Sequence, residues 1–344
     1  MKKIYALMLA TIMILSLAAC GSKNEIASSD NSNDANASSA KKIEILMTSF
    51  DNSSTQACQL GYRFADNVAK ASGGRITINF QPDGTLANET EQYDLIRNNE
   101  VQICYFADSF NSQIAAGYSP CIIPFLFKSV EDVEALLESE LGDKIDEVIK
   151  ETGNVYLLGY SRRTPRLLTA AKPINAPEDL KGLKIRVPEI KEWVTVWNAM
   201  GASCTVVAWT ETYSALQTGV VDAQENPIDN IYANKIYEVN KYIMNTEHLN
   251  SLNHWCVNVD FWDSLSADDQ SLITDAFNEA RDWANQELVK NAEKCKEEIL
   301  ADGTVTFIDV DKDAFQTAAA DGINKVLATL QPEAREYAEA YMAG

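Results

Sequence analysis

The chain has 344 residues, and its 29 basic and 50 acidic side chains give a formal net charge of −21. That balance argues against nucleic-acid binding, because a nucleic-acid surface requires clustered lysine and arginine. The only histidines are His248 and His254, so a Ser-His-Asp triad or a histidine-rich metal site is hard to assemble.

Residues 1–19 have the pattern of an export signal peptide. Lys2 and Lys3 precede an apolar run that is too short to span a bilayer, and the sequence then reads Leu17-Ala18-Ala19-Cys20. Small residues directly before a cysteine are similar to a bacterial lipobox, which implies diacylglycerol on Cys20. The alternative is an ordinary signal peptide with an incidental cysteine.

Residues 20–40 predict a flexible tether, because serine, asparagine, aspartate and alanine dominate and almost nothing there can be buried. The folded part then starts near Lys41. About 300 residues is long for a single core, so two lobes are expected. No other stretch is apolar enough to span a membrane, which predicts an exported soluble domain.

The first part of the folded chain predicts alternating strands and helices. These are a strand over 43–47, a helix over 54–72, a strand over 75–80, a helix over 88–98 and a strand over 101–107. Gly73 and Gly74 suit a left-handed cap at the end of the first helix. This order implies a mostly parallel sheet flanked by helices, with ligands beyond the carboxyl ends of the strands.

The second part repeats the same pattern. It predicts strands over 154–160, 167–170, 183–187 and 203–207, with helices over 189–200 and 210–218. Two α/β lobes with a cleft between them follow. From Ser266, a capping box with Asp269 opens helical spacing to about Leu300, which predicts either one long helix or two shorter ones with a break near Asn285.

Arg186 lies in the stretch Gly182-Leu183-Lys184-Ile185-Arg186-Val187-Pro188. Leu183, Ile185 and Val187 predict a buried strand with Arg186 on the opposite face, and Pro188 ends the strand because it cannot donate to a sheet ladder. A guanidinium at a strand end suits a carboxylate, since its planar fork offers two parallel charge-assisted hydrogen bonds. The sequence around Arg186 therefore predicts a binding site for an organic acid.

This stretch resembles the DctP-like solute-binding proteins of TRAP (tripartite ATP-independent periplasmic) transporters. So do its lead-in over 176–182 and the segments over 209–219 and 220–227, and weaker correspondences run from about residue 43 to about 280. The resemblance implies a two-lobed periplasmic-binding-protein-like α/β fold with a long bracing helix. Lobe I would hold residues 41–163 and about 252–291, and lobe II residues 164–251 and about 292–344.

The resemblance also implies a function. The chain would be an extracytoplasmic lipoprotein that captures an organic acid and delivers it to an ion-driven TRAP-type membrane permease. The leading solutes are a sugar acid such as a uronate and a four-carbon dicarboxylate. The alternative from a different class is a secreted enzyme that acts on acidic sugars with a carboxylate pair.

The family pattern implies a set of ligand-binding residues. Arg186, Arg166 and Asn226 would hold the carboxylate, Trp209 would pack against the body of the solute, and Glu89 and Asp108 would face its far end. Each has a structural alternative, such as a core position for Trp209 or a stabilising carboxylate at a helix N-terminus for Glu89.

The register of the second arginine stays open, because Arg162 and Arg163 stand close to Arg166. In the family register Arg166 faces the cleft, while Arg162 and Arg163 lie at the preceding turn and contact solvent or surface acids.

The sequence departs from the family pattern at four places. Ala87, Ala223 and Thr164 stand where glycine is common, and Phe50-Asp51-Asn52-Ser53 lacks the His-Pro found in many members. These changes leave the carboxylate-binding residues in place. They leave open which chemical groups the far end of the solute carries.

Neither catalysis nor a cofactor is predicted. The six cysteines after Cys20 form no C-x-x-C pair and none lies beside a histidine, so no metal site or thiol redox chemistry is expected. Their pairing cannot be read from the sequence: they are Cys58, Cys104, Cys121, Cys204, Cys256 and Cys295.

Overall fold

The computed structural model describes residues 41–301 and 303–344. The predicted export signal, Cys20 and the predicted tether lie outside the described residues, so the structure does not test them. Within the described ranges, no helix combines the length and the apolar character that crossing a membrane requires.

The strands of the described residues form two sheets. In chain order they are β1 (Ile43–Thr48), β2 (Ile76–Gln81), β3 (Ile103–Phe106), β4 (Val155–Arg162), β5 (Leu167–Ala170), β6 (Lys184–Val187), β7 (Ser203–Val206), β8 (Ala223–Asn226), β9 (Tyr242–Met244), β10 (Leu252–Asn258) and β11 (Thr306–Ile308). The first sheet has the order β2-β1-β3-β10-β4, and the second has the order β11-β9-β5-β8-β6-β7.

Both sheets are mostly parallel, as the alternating pattern predicts. In the first sheet β10 runs antiparallel to both of its neighbours, and in the second sheet β5 does the same. The other pairs of neighbouring strands are parallel. The carboxyl ends of most strands in each sheet therefore lie at one edge.

Helices cover the sheets. They are α1 (Gln56–Ala71), α2 (Glu89–Arg97), α3 (Ser109–Ile114), α4 (Val130–Leu137), α5 (Glu140–Gly153), α6 (Lys191–Ala199), α7 (Thr212–Gln217), α8 (Ile228–Ala233), α9 (Ile236–Val239), α10 (Val259–Asp263), α11 (Ala267–Leu300), α12 (Lys312–Leu327) and α13 (Pro332–Ala343). Local sequence sets their ends. At the end of α1, for example, Gly73 and Gly74 have φ values of +62° and +80°, which confirms the predicted left-handed cap.

Helix α11 is one continuous element of 34 residues, so the alternative of two shorter helices is wrong. Ser266 caps its first turn by accepting a hydrogen bond from the backbone N–H of Asp269 at 3.2 Å. The side chain of Asn285, in the middle of this helix, accepts a hydrogen bond from the backbone N–H of Arg162. The helix contacts α1 and β4 along one part and α8 along another, so it joins elements associated with both sheets.

The packing of α11 against the first sheet explains why β4 has a glycine at position 159. A Cβ atom at Gly159 would lie 2.6 Å from a ring carbon of Phe277, closer than side chains tolerate. Phe277 is fully buried with Phe64 and Trp255 in the core between this sheet, α1 and α11. Close packing of this kind fixes the helix against the sheet, and truncating such a buried aromatic to alanine costs about 3–5 kcal/mol.

Candidate functional site

A cavity lies between residues that follow strands of both sheets. All six residues predicted for the site line this one cavity: Arg186, Arg166, Asn226, Trp209, Glu89 and Asp108. The cavity therefore lies at the carboxyl ends of strands, where ligands of parallel sheets bind.

Arg186 reaches the cavity from the second sheet. Its neighbours Ile185 and Val187 are fully buried on β6, and Pro188 follows the strand. The Nε atom of Arg186 donates to the carbonyl of Val207 at 2.9 Å, and its guanidinium lies 5.5 Å from the ring centre of Trp209.

No carboxylate among the described residues forms an ion pair with Arg186, although the side chain is only 2% exposed. Burial lowers the pKa of Arg186 to about 10, so it is still charged at neutral pH. Because Nε is held by Val207, both terminal nitrogens remain for a planar anion. An unpaired buried charge is costly in a ligand-free protein and is typical of a binding site for the opposite charge.

Arg166 also lies at the cavity wall, but its charge is already neutralised. Its guanidinium donates to both carboxylate oxygens of Glu225 and, at 2.9 Å, to the Oδ1 atom of Asn226. It also lies over the ring of Trp193, with 4.6 Å between the guanidinium carbon and the ring centre. These contacts fix the position of Arg166 and leave its Nη1 group with only a long contact of 3.6 Å to Asp108.

Glu225 holds Arg166 in place, although Glu225 is not among the residues that line the cavity. The sequence alone does not indicate this role. Glu225 is fully buried, and His248 lies 3.0 Å from it through Nε2. Burial alone would raise the pKa of Glu225, but Arg166 and the hydrogen bond with His248 lower it to about 2. Glu225 is therefore a permanent anion that orients Arg166.

Asn226 connects the arginine to the strand. Its Nδ2 group donates to Gln224 at 2.7 Å, while its Oδ1 atom accepts from Arg166. A primary amide carries two N–H donors, so one remains for a solute.

The side chain of Arg163 lies elsewhere than the sequence predicts. The prediction that it contacts solvent or surface acids is wrong, because Arg163 is only 8% exposed, lines the cavity and donates to Asp108 at 3.0 Å. Arg162 does pair at the surface, with Glu131 and Glu134 of α4. The segment between β4 and β5 thus brings both Arg163 and Arg166 to the cavity.

Two carboxyl groups line the cavity without a cation within ion-pair distance among the described residues. Glu89 begins α2 and accepts a hydrogen bond from the backbone N–H of Ala107 at 2.9 Å, and burial raises the pKa of its carboxyl. Asp51 accepts hydrogen bonds from the hydroxyl of Tyr105 at 3.0 Å and from the amide of Asn230 at 2.7 Å. Burial raises the pKa of Asp51 to about 7.

Sequence reasoning missed Asp51 as a site residue, although a usable signal was present. Asp51 follows β1 as Asp108 follows β3, and β1 and β3 are parallel neighbours. Residues beyond the carboxyl ends of neighbouring parallel strands meet at the same edge of the sheet.

Comparisons with known proteins agree with this fold and this site. The model of the family described as bacterial extracellular solute-binding protein, family 7, matches residues 48–329. A solute-binding protein of Roseobacter denitrificans is 32% identical over 277 residues, which are 80% of this chain and 84% of that protein.

Solved structures match the same two-sheet architecture, which confirms the predicted two-lobed fold with its long helix. A TRAP periplasmic solute-binding protein of Roseobacter denitrificans, with bound L-galactonate, has a TM-score of 0.80 and 29% identity over 88% of this chain and 99% of that chain. One from a Sulfitobacter species, with bound β-D-galacturonate, has a TM-score of 0.81 and 26% identity over 88% of this chain and 100% of that one.

Proposed function

Because the chain belongs to the DctP-like solute-binding proteins of TRAP transporters, family 7 of the bacterial extracellular solute-binding proteins, we propose that it captures an organic acid between its two sheets. The acid then passes to a TRAP-type membrane permease. The two leading solutes remain a sugar acid such as a uronate and a four-carbon dicarboxylate.

The observation that carries this proposal is the unpaired guanidinium of Arg186 at the wall of the cavity. A carboxylate bound there gains two parallel hydrogen bonds from the terminal nitrogens and removes the cost of a buried unpaired charge. The remaining donor of Asn226 and the Nη1 group of Arg166 stand at the same wall and complete the set of donors. Trp209 adds an apolar face for the body of the solute.

Binding is coupled to closure of two lobes in this proposal. Lobe I comprises residues 41–163 and about 252–291, and lobe II comprises 164–251 and about 292–344. Two hydrogen bonds support closure, because each joins an element of one lobe to one of the other: Ser112 donates to Glu192 at 2.8 Å, and Asn230 donates to Asp51 at 2.7 Å. A solute that binds the closed state more tightly than the open state shifts the population toward it.

The predicted lipobox supports an extracytoplasmic protein anchored to the membrane through lipid on Cys20. Replacing the thiol, Cys20→Ala, is expected to move the protein from the membrane fraction to the soluble fraction without changing its thermal unfolding. Retention of the variant in the membrane fraction, with no lipid label on the wild type, contradicts the anchor.

A thermal-shift screen of organic acids, followed by calorimetry on each hit, tests the binding function. The rival function, an enzyme that acts on acidic sugars, is tested on the same hits by an assay for products. We expect stabilisation without turnover. Turnover of a stabilising acid, or no stabilisation by any acid of the panel, contradicts the proposal.

A further inference from the structure

A turn directly after β2 carries a glycine at the surface that faces the second sheet. Gly84 has a φ of +63°, and its backbone N–H donates to the carbonyl of Ser49 at 3.1 Å. The backbone N–H of Asp83 donates to the carbonyl of Asp51 at 2.8 Å, and the Oδ1 atom of Asp83 accepts from the backbone N–H of Ser53 at 2.8 Å. These bonds tie the turn to the segment after β1, so the turn and the first sheet form one rigid part.

Thr210, which belongs to lobe II, meets this turn of lobe I. A Cβ atom added to Gly84 would lie 3.2 Å from the Cγ2 methyl group of Thr210, whereas carbon atoms normally pack about 3.5–4.0 Å apart. Thr210 directly follows Trp209, whose ring contacts Arg186, so its position is linked to the wall of the cavity. Neither Gly84 nor Thr210 is among the residues that line the cavity. The lobes therefore meet outside the cavity, at a contact without space for another methyl group.

A second contact outside the cavity joins the same two lobes. The hydroxyl of Ser112, in α3, donates to the carboxylate of Glu192, in α6, at 2.8 Å. Glu192 is only 6% exposed, so this hydroxyl replaces water at the carboxylate. Neither side chain lines the cavity. Opening of the cleft would separate the two groups and return both to water, so the bond belongs to the closed state.

Such contacts act on the equilibrium between the open and closed states and not on the solute. A substitution that weakens a contact of the closed state lowers the closed fraction of the protein. The apparent Kd rises as the fraction of binding-competent protein falls, and this fraction is a property of the protein alone. The affinity for every solute should then fall by the same factor.

We propose that the contacts Gly84–Thr210 and Ser112–Glu192 are closing contacts, which set the affinity for all solutes alike and leave the choice among solutes to the cavity. This inference rests on the proposed function, because it requires two lobes that open and close around a solute. The four residues have a positioning role. They hold the lobes against each other and do not touch the solute.

Gly84→Ala separates the closing contact from backbone strain. At a φ of +63° the substitution strains the backbone in the open and closed states alike, whereas the contact with Thr210 acts on the closed state alone. By calorimetry with glucuronate, galactonate and succinate, each acid that binds should bind at least about fivefold more weakly, by a common factor. Gly73→Ala is the matched control, because Gly73 has a φ of +62° and its added Cβ would meet none of the described atoms within 4 Å. It should lower the Tm and leave each Kd unchanged.

Thr210→Ser tests the partner side of the contact. It removes the methyl group that faces Gly84, so adding it to Gly84→Ala should restore most of the lost affinity, while Thr210→Ser alone should change affinity by less than about twofold. Ser112→Ala should weaken the binding of each acid by a common factor of about fivefold or more. Its control is Ser264→Ala, because the hydroxyl of Ser264 donates to the carbonyl of Phe261 within lobe I. The control should leave each Kd unchanged.

The outcomes separate this inference from the proposed function. A loss of affinity in Gly84→Ala no larger than in Gly73→Ala, a loss that Thr210→Ser does not relieve, or factors that differ between acids overturns the inference while the binding function stands. The absence of binding by every acid of the screen overturns the proposed function, and this inference with it. If Gly84→Ala does not fold, Ser112→Ala and its control decide.

Discussion

Replacing Arg186 by methionine should make the ligand-free protein more stable while abolishing binding. The substitution keeps a long unbranched side chain and removes a buried guanidinium for which no described carboxylate is an ion-pair partner. Most substitutions of buried residues destabilise a protein. A substitution that stabilises it therefore identifies a residue that lowers folding stability and is present because function requires it.

The magnitude follows from the contacts of Arg186. Burial lowers its pKa to about 10, and since one pKa unit corresponds to about 1.4 kcal/mol, holding the buried charge costs on the order of 3 kcal/mol. At neutral pH the group is charged in both the folded and the unfolded chain, so the cost is fully present. It declines only as the pH rises above about 10.

Part of this gain is offset in the variant. Arg186→Met loses the hydrogen bond to the carbonyl of Val207, worth about 1 kcal/mol, and the contact with Trp209, worth about 0.5–1 kcal/mol. A net gain of about 1 kcal/mol remains. For a folded part of this size it corresponds to a rise in Tm of about 1–2 °C.

Thermal unfolding with and without the best acid from the screen measures both effects. At a concentration 100 times its Kd, the acid should stabilise the wild type by about 2.7 kcal/mol and the variant not at all, so the order of the two Tm values reverses. Arg335→Met is the control. Arg335 donates to the carbonyls of Leu327 and Ala328, so its loss should lower the Tm and leave the response to the acid unchanged.

Two results would refute this reasoning. One is a ligand-free Arg186→Met protein whose Tm is lower than that of the wild type by several degrees, which would mean that the arginine stabilises the fold. The other is retention of acid binding within about tenfold of the wild type, a loss of less than 1.4 kcal/mol, which would place the carboxylate elsewhere.

Three further substitutions test the rest of the site. Asp108→Asn should lower the free energy of unfolding in denaturant by about 3 kcal/mol or more, because it leaves Arg163 buried without its partner; a change below 1 kcal/mol contradicts this pairing. Burial raises the pKa of Asp51 from its ordinary 3.8 to about 7, so the folded state binds the proton more tightly than the unfolded state. Wild-type stability should therefore fall by up to about 4 kcal/mol as the pH rises through this interval, and Asp51→Asn should lack that component; equal pH profiles would count against it. Arg162→Ala should change stability by about 1 kcal/mol or less and leave acid affinity intact, because its pairs with Glu131 and Glu134 are at the surface.

Much of the fold can be predicted from sequence, because each strand and helix of the alternating pattern carries its own periodicity. β5 and the continuous helix α11 have the predicted type and nearly the predicted bounds. What periodicity does not give is the pairing of strands distant in the chain. β10 lies between β3 and β4 in the first sheet although some 90 residues separate it from β4, and only the assembled sheet shows this.

The site was predictable where residues follow strand ends and unpredictable where the chain leaves regular structure. Arg186 and Asn226 end or nearly end their strands, so their direction follows from the alternation of side chains. Arg163 lies between β4 and β5, where alternation no longer applies, and its buried pairing with Asp108 depends on an element more than 50 residues away. Charge pairing across such distances is a property of tertiary structure alone.

The three arginines of the cavity have different energetic roles. Arg163 and Arg166 bring no net charge to the solute, because Asp108 and Glu225 already neutralise them, and their contribution lies in fixed hydrogen-bond donors that need no rearrangement on binding. Arg186 contributes the charge. The carbonyl of Val207 holds its side chain in place, so the guanidinium is already oriented for a carboxylate. The free-energy cost of burying its charge is present in the folded chain before binding. The charge that the site offers to a solute therefore comes from Arg186 rather than from the number of arginines at its wall.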